Sequence, residues 1–283
     1  MAARTARTAG CLIVALVVLA GLGIGAYSWL SRSSLPELIN QERCLARVGD
    51  LTVELDLEQA HFAAIITGLA VRRDLPPRAA SIALATAYQE SGIRNLQYGD
   101  RDSLGLFQQR PSQGWGTKKQ ILDPHYSTAK FYDALVKVKN WRSGDINDVA
   151  QKVQRSGYPE AYRDHVADAR VLASALSGQT AAAFSCYERQ EAPGDPEAMV
   201  TSLTKTFGKL TTDEGPRKVT VSTKNEDQAW AYGHHAVANA ALLGATSVRV
   251  ADQQWEAGGD DLPSWVPAPN SDVGNPGVTI TFR

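Results

Sequence analysis

The segment Ala79-Ala80-Ser81-Ile82-Ala83-Leu84-Ala85-Thr86-Ala87-Tyr88 constrains the fold more than any other stretch of the chain. It reads as a helix, opened by Pro76-Pro77 and stopped by Gly92, yet its side chains are small or apolar all the way round. A helix without a polar face has to be enclosed on every side, so other elements must be found to surround it. Ala79, Ala83, Thr86 and Ala87 share one face, and their small size lets neighbouring helices come close. Glu90 lies at the C-terminal end of that face. Desolvation and the negative end of the helix dipole both oppose its ionisation, so a raised pKa is expected, which suits a proton donor. The competing reading is a solvated Glu at a frayed helix end.

The rest of the first half reads as further helices. Asp56 and Gln59 have the spacing of a capping box before residues 57–73, Pro124 opens a helix through Phe131, Leu135 and Val138, and two more are expected at 145–154 and 159–176. Few stretches alternate with period two, so a mainly α domain is expected over residues 44–187. The run Glu191-Ala192-Pro193-Gly194-Asp195-Pro196 reads as a boundary within a linker over 188–195. Beyond it a small α+β domain is expected over 196–283, with helices at 196–207 and 226–243 and strands at 218–222, 247–250 and 278–281. With 43% hydrophobic residues, a chain of 283 can fill two modest cores. No internal repeat is present.

Residues 11–30 carry no charge, and as a helix they would cover about 30 Å, the thickness of a bilayer's apolar core. Arg4 and Arg7 precede them, which by the positive-inside rule predicts a single-pass anchor with a cytoplasmic tip. A linker over 31–43 would then lead to extracytoplasmic domains. A cleaved signal peptide is the competing reading, although the small-x-small site Gly23-Ile24-Gly25 lies inside the apolar run. Of three cysteines, Cys11 falls in this run, which leaves Cys44 and Cys186 as a candidate disulfide in an oxidising compartment. The alternative is two separate buried thiols. A net charge of −1 offers no footprint for nucleic acid.

Glu90-Ser91, a loop, and then Ser103-Leu104-Gly105-Leu106-Phe107-Gln108 resemble the signature of the lytic-transglycosylase and goose-type-lysozyme-like superfamily. Asp123-Pro124 with Ala129, Phe131 and Leu135 is similar to that family's next helix. Val153-Gln154-Arg155-Ser156-Gly157-Tyr158-Pro159 with Tyr162 resembles its later segment, and the likeness covers residues 51–176. It implies a lysozyme-like fold, peptidoglycan glycan strands as substrate, and no cofactor. Glu90 matches the catalytic acid/base. Ser91, Ser103 and Gln108 match positions that orient it or contact an N-acetyl group, and Gln154 and Tyr162 match the far wall of the groove. The turn Gln154-Arg155-Ser156-Gly157 departs from the family's Tyr-Asn-Ala-Gly-like pattern.

A hydrolase of this kind needs a second carboxylate, whereas a lytic transglycosylase works with one. Asp100 and Asp102 are the nearby candidates for a muramidase, against a plainer role as turn residues. A wall-binding or scaffold module without catalysis is a further alternative. Trp115, flanked by Gly114 and Gly116, is placed to stack on a sugar or to pin its loop. His234 and His235 diverge by about 100° on a helix, so no metal site is expected there. Trp230, Tyr232, Trp255 and Trp265 load the C-terminal unit with aromatics suited to its core or to a binding surface.

Overall fold

The computed structural model describes residues 41–155, 160–189, 192–259, 261–269 and 277–283. Strands β1 (Arg43–Val48) and β2 (Leu51–Leu55) form a hairpin, and helices α1 (Leu57–Arg72) and α2 (Pro77–Ser91) follow. A long loop leads to a short turn, α3 (Lys118–Ile121), and then to α4 (Pro124–Leu135), α5 (Ile146–Gln154) and α6 (Val166–Leu176). Strand β3 (Phe184–Tyr187) returns to pair with β1. The remainder comprises α7 (Pro196–Phe207), β4 (Thr211–Gly215), β5 (Lys218–Ser222), α8 (Glu226–Ala238), α9 (Ala240–Leu243), β6 (Ala245–Val250), β7 (Gln253–Glu256), β8 (Val266–Pro267) and β9 (Gly277–Phe282).

Local signals act as expected. Asp56 accepts from the Gln59 N–H while the Gln59 side chain accepts from the Asp56 N–H, which closes the capping box. Helix α2 starts at Pro77 and ends on Gly92 in the left-handed conformation, and every residue from 79 to 87 is buried. It is enclosed by α1, α4, α5 and α6.

The expected fold class, a mainly α lysozyme-like domain followed by a small α+β domain, is overturned. Among the described residues two antiparallel sheets are present, one of order β2-β1-β3 and one of order β4-β5-β9-β6-β7-β8. The first sheet belongs to the half read as helical. In β2, Val53 and Leu55 face inward and Thr52 and Glu54 outward, a short period-two pattern. Its sheet is completed by Cys44↔Cys186 pairing across 142 residues, a contact that no local pattern reveals. These two cysteines form a disulfide, and a loop of that length gives it on the order of 4 to 5 kcal/mol of stabilisation in the chain-entropy description.

Residues 42–283 form one compact unit with a continuous core. Helix α8, buried from Ala229 to Ala238, packs on β6 and β9 and also on α1, α6 and β3. A Cβ at Gly233 would lie 2.5 Å from Val250 Cγ2, so only glycine lets α8 approach the large sheet this closely. Trp255 of β7 donates its indole N–H to the Ser185 hydroxyl of β3 at 3.0 Å, and Trp265 donates to the Phe184 carbonyl at 2.8 Å. The aromatics of the C-terminal half therefore fill a core shared by both sheets.

The expected transmembrane helix is a second correction. Among the described residues no helix is long and apolar enough to cross a membrane. The longest, α1 with 16 residues, covers about 24 Å against about 30 Å for an apolar bilayer core. Residues 11–30, on which the expectation rested, lie outside the described residues. The single-pass topology and the cell-membrane localisation with extracytoplasmic domains are withdrawn with it.

The shared core has a consequence for acid stability. His234 donates from Nδ1 to the Ala175 carbonyl at 2.7 Å, and burial lowers its pKa to about 4. His235 meets the Ser202 hydroxyl at 2.9 Å, and burial, with His61 and His125 nearby, lowers its pKa to about 3. Both fall below the unfolded value of about 6.5, so the unfolded chain binds more protons and stability is lost as pH falls below about 6.5. Glu188 acts in reverse. Burial raises its carboxyl to about 7, against the pull of Arg283, so its contribution is present below about 4.5 and lost as pH rises through 7. Two histidines outweigh one carboxyl between about pH 4.5 and 6.5, for a net loss on the order of 1.4 kcal/mol per unit of acidification. Urea titrations at pH 7, 6 and 5 should show this decline, with a steeper slope in Glu188→Gln; a flat profile would contradict it.

Candidate active site

Glu90 sits on the last turn of α2, half-buried, where three other segments converge. Its Oε1 accepts from the Tyr162 hydroxyl at 2.7 Å and from Gln154 Nε2 at 3.1 Å. Tyr162, wholly buried, stands just before the turn Arg163–His165 that leads into α6. Gln154 is the final residue of α5, whose cap Arg155 takes a left-handed conformation. Its amide also donates to the Phe107 carbonyl at 2.8 Å, so both of its N–H groups are engaged.

The floor is the loop 103–108. Leu104 and Gln109 exchange two backbone hydrogen bonds of 3.0 Å, closing a tight turn around Gly105. Gly105 has φ of +75°, and a Cβ there would lie 2.9 Å from the Ile121 carbonyl, so the turn requires glycine. The turn carries Phe107 into the core, where it stacks on Phe131 with ring centroids 4.6 Å apart. Ser91 then ties helix to loop: its hydroxyl lies 3.0 Å from the Ala87 carbonyl and 2.8 Å from the Leu106 carbonyl, and it accepts from the Arg94 N–H at 3.2 Å. The end of α2 is thus held against the loop independently of Glu90.

The structure therefore brings Glu90, Ser91, Gln154 and Tyr162 together. Gln108 donates instead to the Tyr98 and Gly105 carbonyls, at 3.3 and 3.2 Å, and stabilises the loop from within. Ser103 is buried, with its N–H on the Asp100 carbonyl. Asp102 is committed elsewhere. One carboxylate oxygen accepts from the Ser112 N–H at 2.8 Å and the other from Arg110 Nε at 2.6 Å, and these donors hold the carboxyl well below the usual carboxylate range. Asp100 is exposed beside Arg101.

Sequence reasoning missed two features. Tyr88 stacks on His165 at 5.1 Å, and Gln89 Oε1 lies 3.1 Å from His165 Nε2, so the turn bearing Tyr162 is clamped to the end of α2. A cavity of about 630 Å³ also opens beside Gln154, lined by Trp115, Lys137, Lys152 and Arg155 among others. Lys152 and Arg155 are three apart at the end of an amphipathic helix, a signal visible in the sequence; their meeting with Lys137 is not. Trp115 both lines this cavity and packs on the core. His234 and His235 point to different partners, and among the described residues no group of three His, Cys, Asp or Glu is placed to hold a metal ion.

Comparison with models of known protein families finds no match for this chain, and neither does comparison with curated proteins.

Proposed function

We propose that this protein cleaves the β-1,4 bond between N-acetylmuramic acid and N-acetylglucosamine in peptidoglycan, as a lytic transglycosylase with Glu90 as its only acid/base. One observation carries the reading: a half-buried carboxyl at the end of an enclosed helix, with one oxygen held by Tyr162 and Gln154. Because Oε1 accepts two hydrogen bonds, the proton of the neutral acid belongs on Oε2. From there it passes to the glycosidic oxygen as the C1–O bond breaks. The substrate's N-acetyl group steadies the positive charge left at C1. Glu90, now a carboxylate, takes the proton from the sugar's 6-hydroxyl as that oxygen attacks C1, giving a 1,6-anhydro product. No water enters, and Glu90 ends protonated as it began.

The engagement of both Asp102 oxygens with Ser112 and Arg110 favours this single-carboxylate route over a muramidase that uses Asp100 or Asp102 to activate water. The resemblance of the Glu90-Ser91 and Gly105-Leu106-Phe107-Gln108 blocks to the lytic-transglycosylase superfamily supports the choice of substrate. The test is digestion of purified peptidoglycan with mass analysis of the soluble products. Anhydro-muramic ends are expected. Reducing muramic ends alone would sink the lytic route, and binding without any soluble product would leave a wall-binding module.

A further inference from the structure

The cavity beside Glu90 is one-sided in charge. Among the described residues Lys137, Lys152 and Arg155 line it and no Asp or Glu does, and Trp115, Gln113 and Gln154 supply aromatic and polar surface. The three cations come from two separate parts of the chain, the residues after α4 and the end of α5, so their meeting is a product of the fold. Among the described residues none of them makes a salt bridge with a carboxylate. Net charge over the whole sequence is −1, so this local excess is not the overflow of a basic protein. Three like charges around one concavity repel each other and focus a positive field into it, which an anion relieves. At about 630 Å³ the cavity has the size of an ordinary ligand pocket.

We propose that this cavity is a subsite for an anionic saccharide. A sugar ring rests on Trp115, and its carboxylate or phosphate substituents meet Lys137, Lys152 and Arg155. The proposal rests on the Glu90 reading for its position along the glycan. Gln154 lines the cavity and donates to Glu90, so the unit in the cavity is next to the bond being cleaved. Selection of acidic over neutral glycan follows, because a neutral strand gains only the stacking and hydrogen-bonding part of the interaction, and the charged part is salt-sensitive.

Calorimetric titration of the full chain carrying Glu90→Gln tests this without any turnover. The probes are a muramic-acid oligosaccharide with free carboxylates, a phosphate-substituted counterpart, and neutral chitotetraose. At least one anionic probe is expected to bind about tenfold more tightly than chitotetraose, with most of that advantage lost between about 50 and about 300 mM salt. Whichever anion binds more tightly identifies the substituent. In K137A/K152A, two exposed positions whose removal leaves the core intact, the advantage should vanish while chitotetraose binding changes less than about twofold. Equal binding of all three probes, or an advantage that survives the double substitution, overturns the subsite. Because cleavage is not read, a failure of the Glu90 assignment leaves this outcome interpretable on its own.

Discussion

Glu90→Gln is expected to lower peptidoglycan cleavage by about 10²- to 10⁴-fold, the range associated with a positioned general acid. The substitution is close to isosteric. A glutamine carbonyl at Oε1 still accepts from Tyr162 and Gln154, so the end of α2 keeps its partners. Ser91 on Leu106 and Gln154 on Phe107 hold the surrounding loop without Glu90. What the variant lacks is the transferable proton on the other oxygen. Its melting temperature should therefore stay near that of the parent while activity falls, and matched thermal and digestion assays on both proteins read the two quantities side by side. Cleavage within about tenfold of the parent would remove Glu90 from the acid/base role.

Trp255→Ala addresses the architecture. This side chain lies in β7, far along the sequence from Glu90, and is wholly buried with its indole on Ser185 of β3. Truncating a buried aromatic typically costs about 3 to 5 kcal/mol, and here it also leaves the Ser185 hydroxyl without its donor. Because α8 packs on both the large sheet and α1, α6 and β3, the loss should be felt throughout residues 42–283. A single unfolding transition is expected, lowered on the order of 10 °C, with cleavage activity lost in the same transition. Two transitions, only one of them displaced, would restore the picture of two independent domains. The prediction turns on α8: a helix buried on all sides belongs to whatever surrounds it, and its surroundings come from both halves.

Much of the local structure was legible. Pro77 and Gly92 bound α2 as their chemistry requires, Asp56 and Gln59 close the expected box, and α7 and β5 occupy the expected residues. Boundaries were missed where the deciding contact is remote. The helix expected over 159–176 begins only at Val166, since Tyr162 and the turn Arg163–His165 are drawn to Glu90, Tyr88 and Gln89. Strands β4 and β7 went unseen because Thr211–Gly215 and Gln253–Glu256 are largely polar or exposed, and they become strands by pairing with β5 and β6.

The residues around the candidate site divide in the same way. Sequence by itself determined that an enclosed small-residue helix would end at a glycine with Glu90 on its last turn, because helix periodicity, capping and burial of apolar side chains act over a few residues. It also carried the likeness that singled out Gln154 and Tyr162. Only the tertiary structure decided that both of these donate to the same oxygen of Glu90, that Asp102 is taken by Arg110 and Ser112, and that Lys137 joins Lys152 and Arg155 around one cavity. Only the tertiary structure, too, packed α8 of the C-terminal half against α1, α6 and β3 of the first, so that one core serves both. Such contacts join residues tens to more than a hundred positions apart. Their formation depends on closing long loops against chain entropy, with the whole core as the compensating term, and no window of local sequence contains that balance.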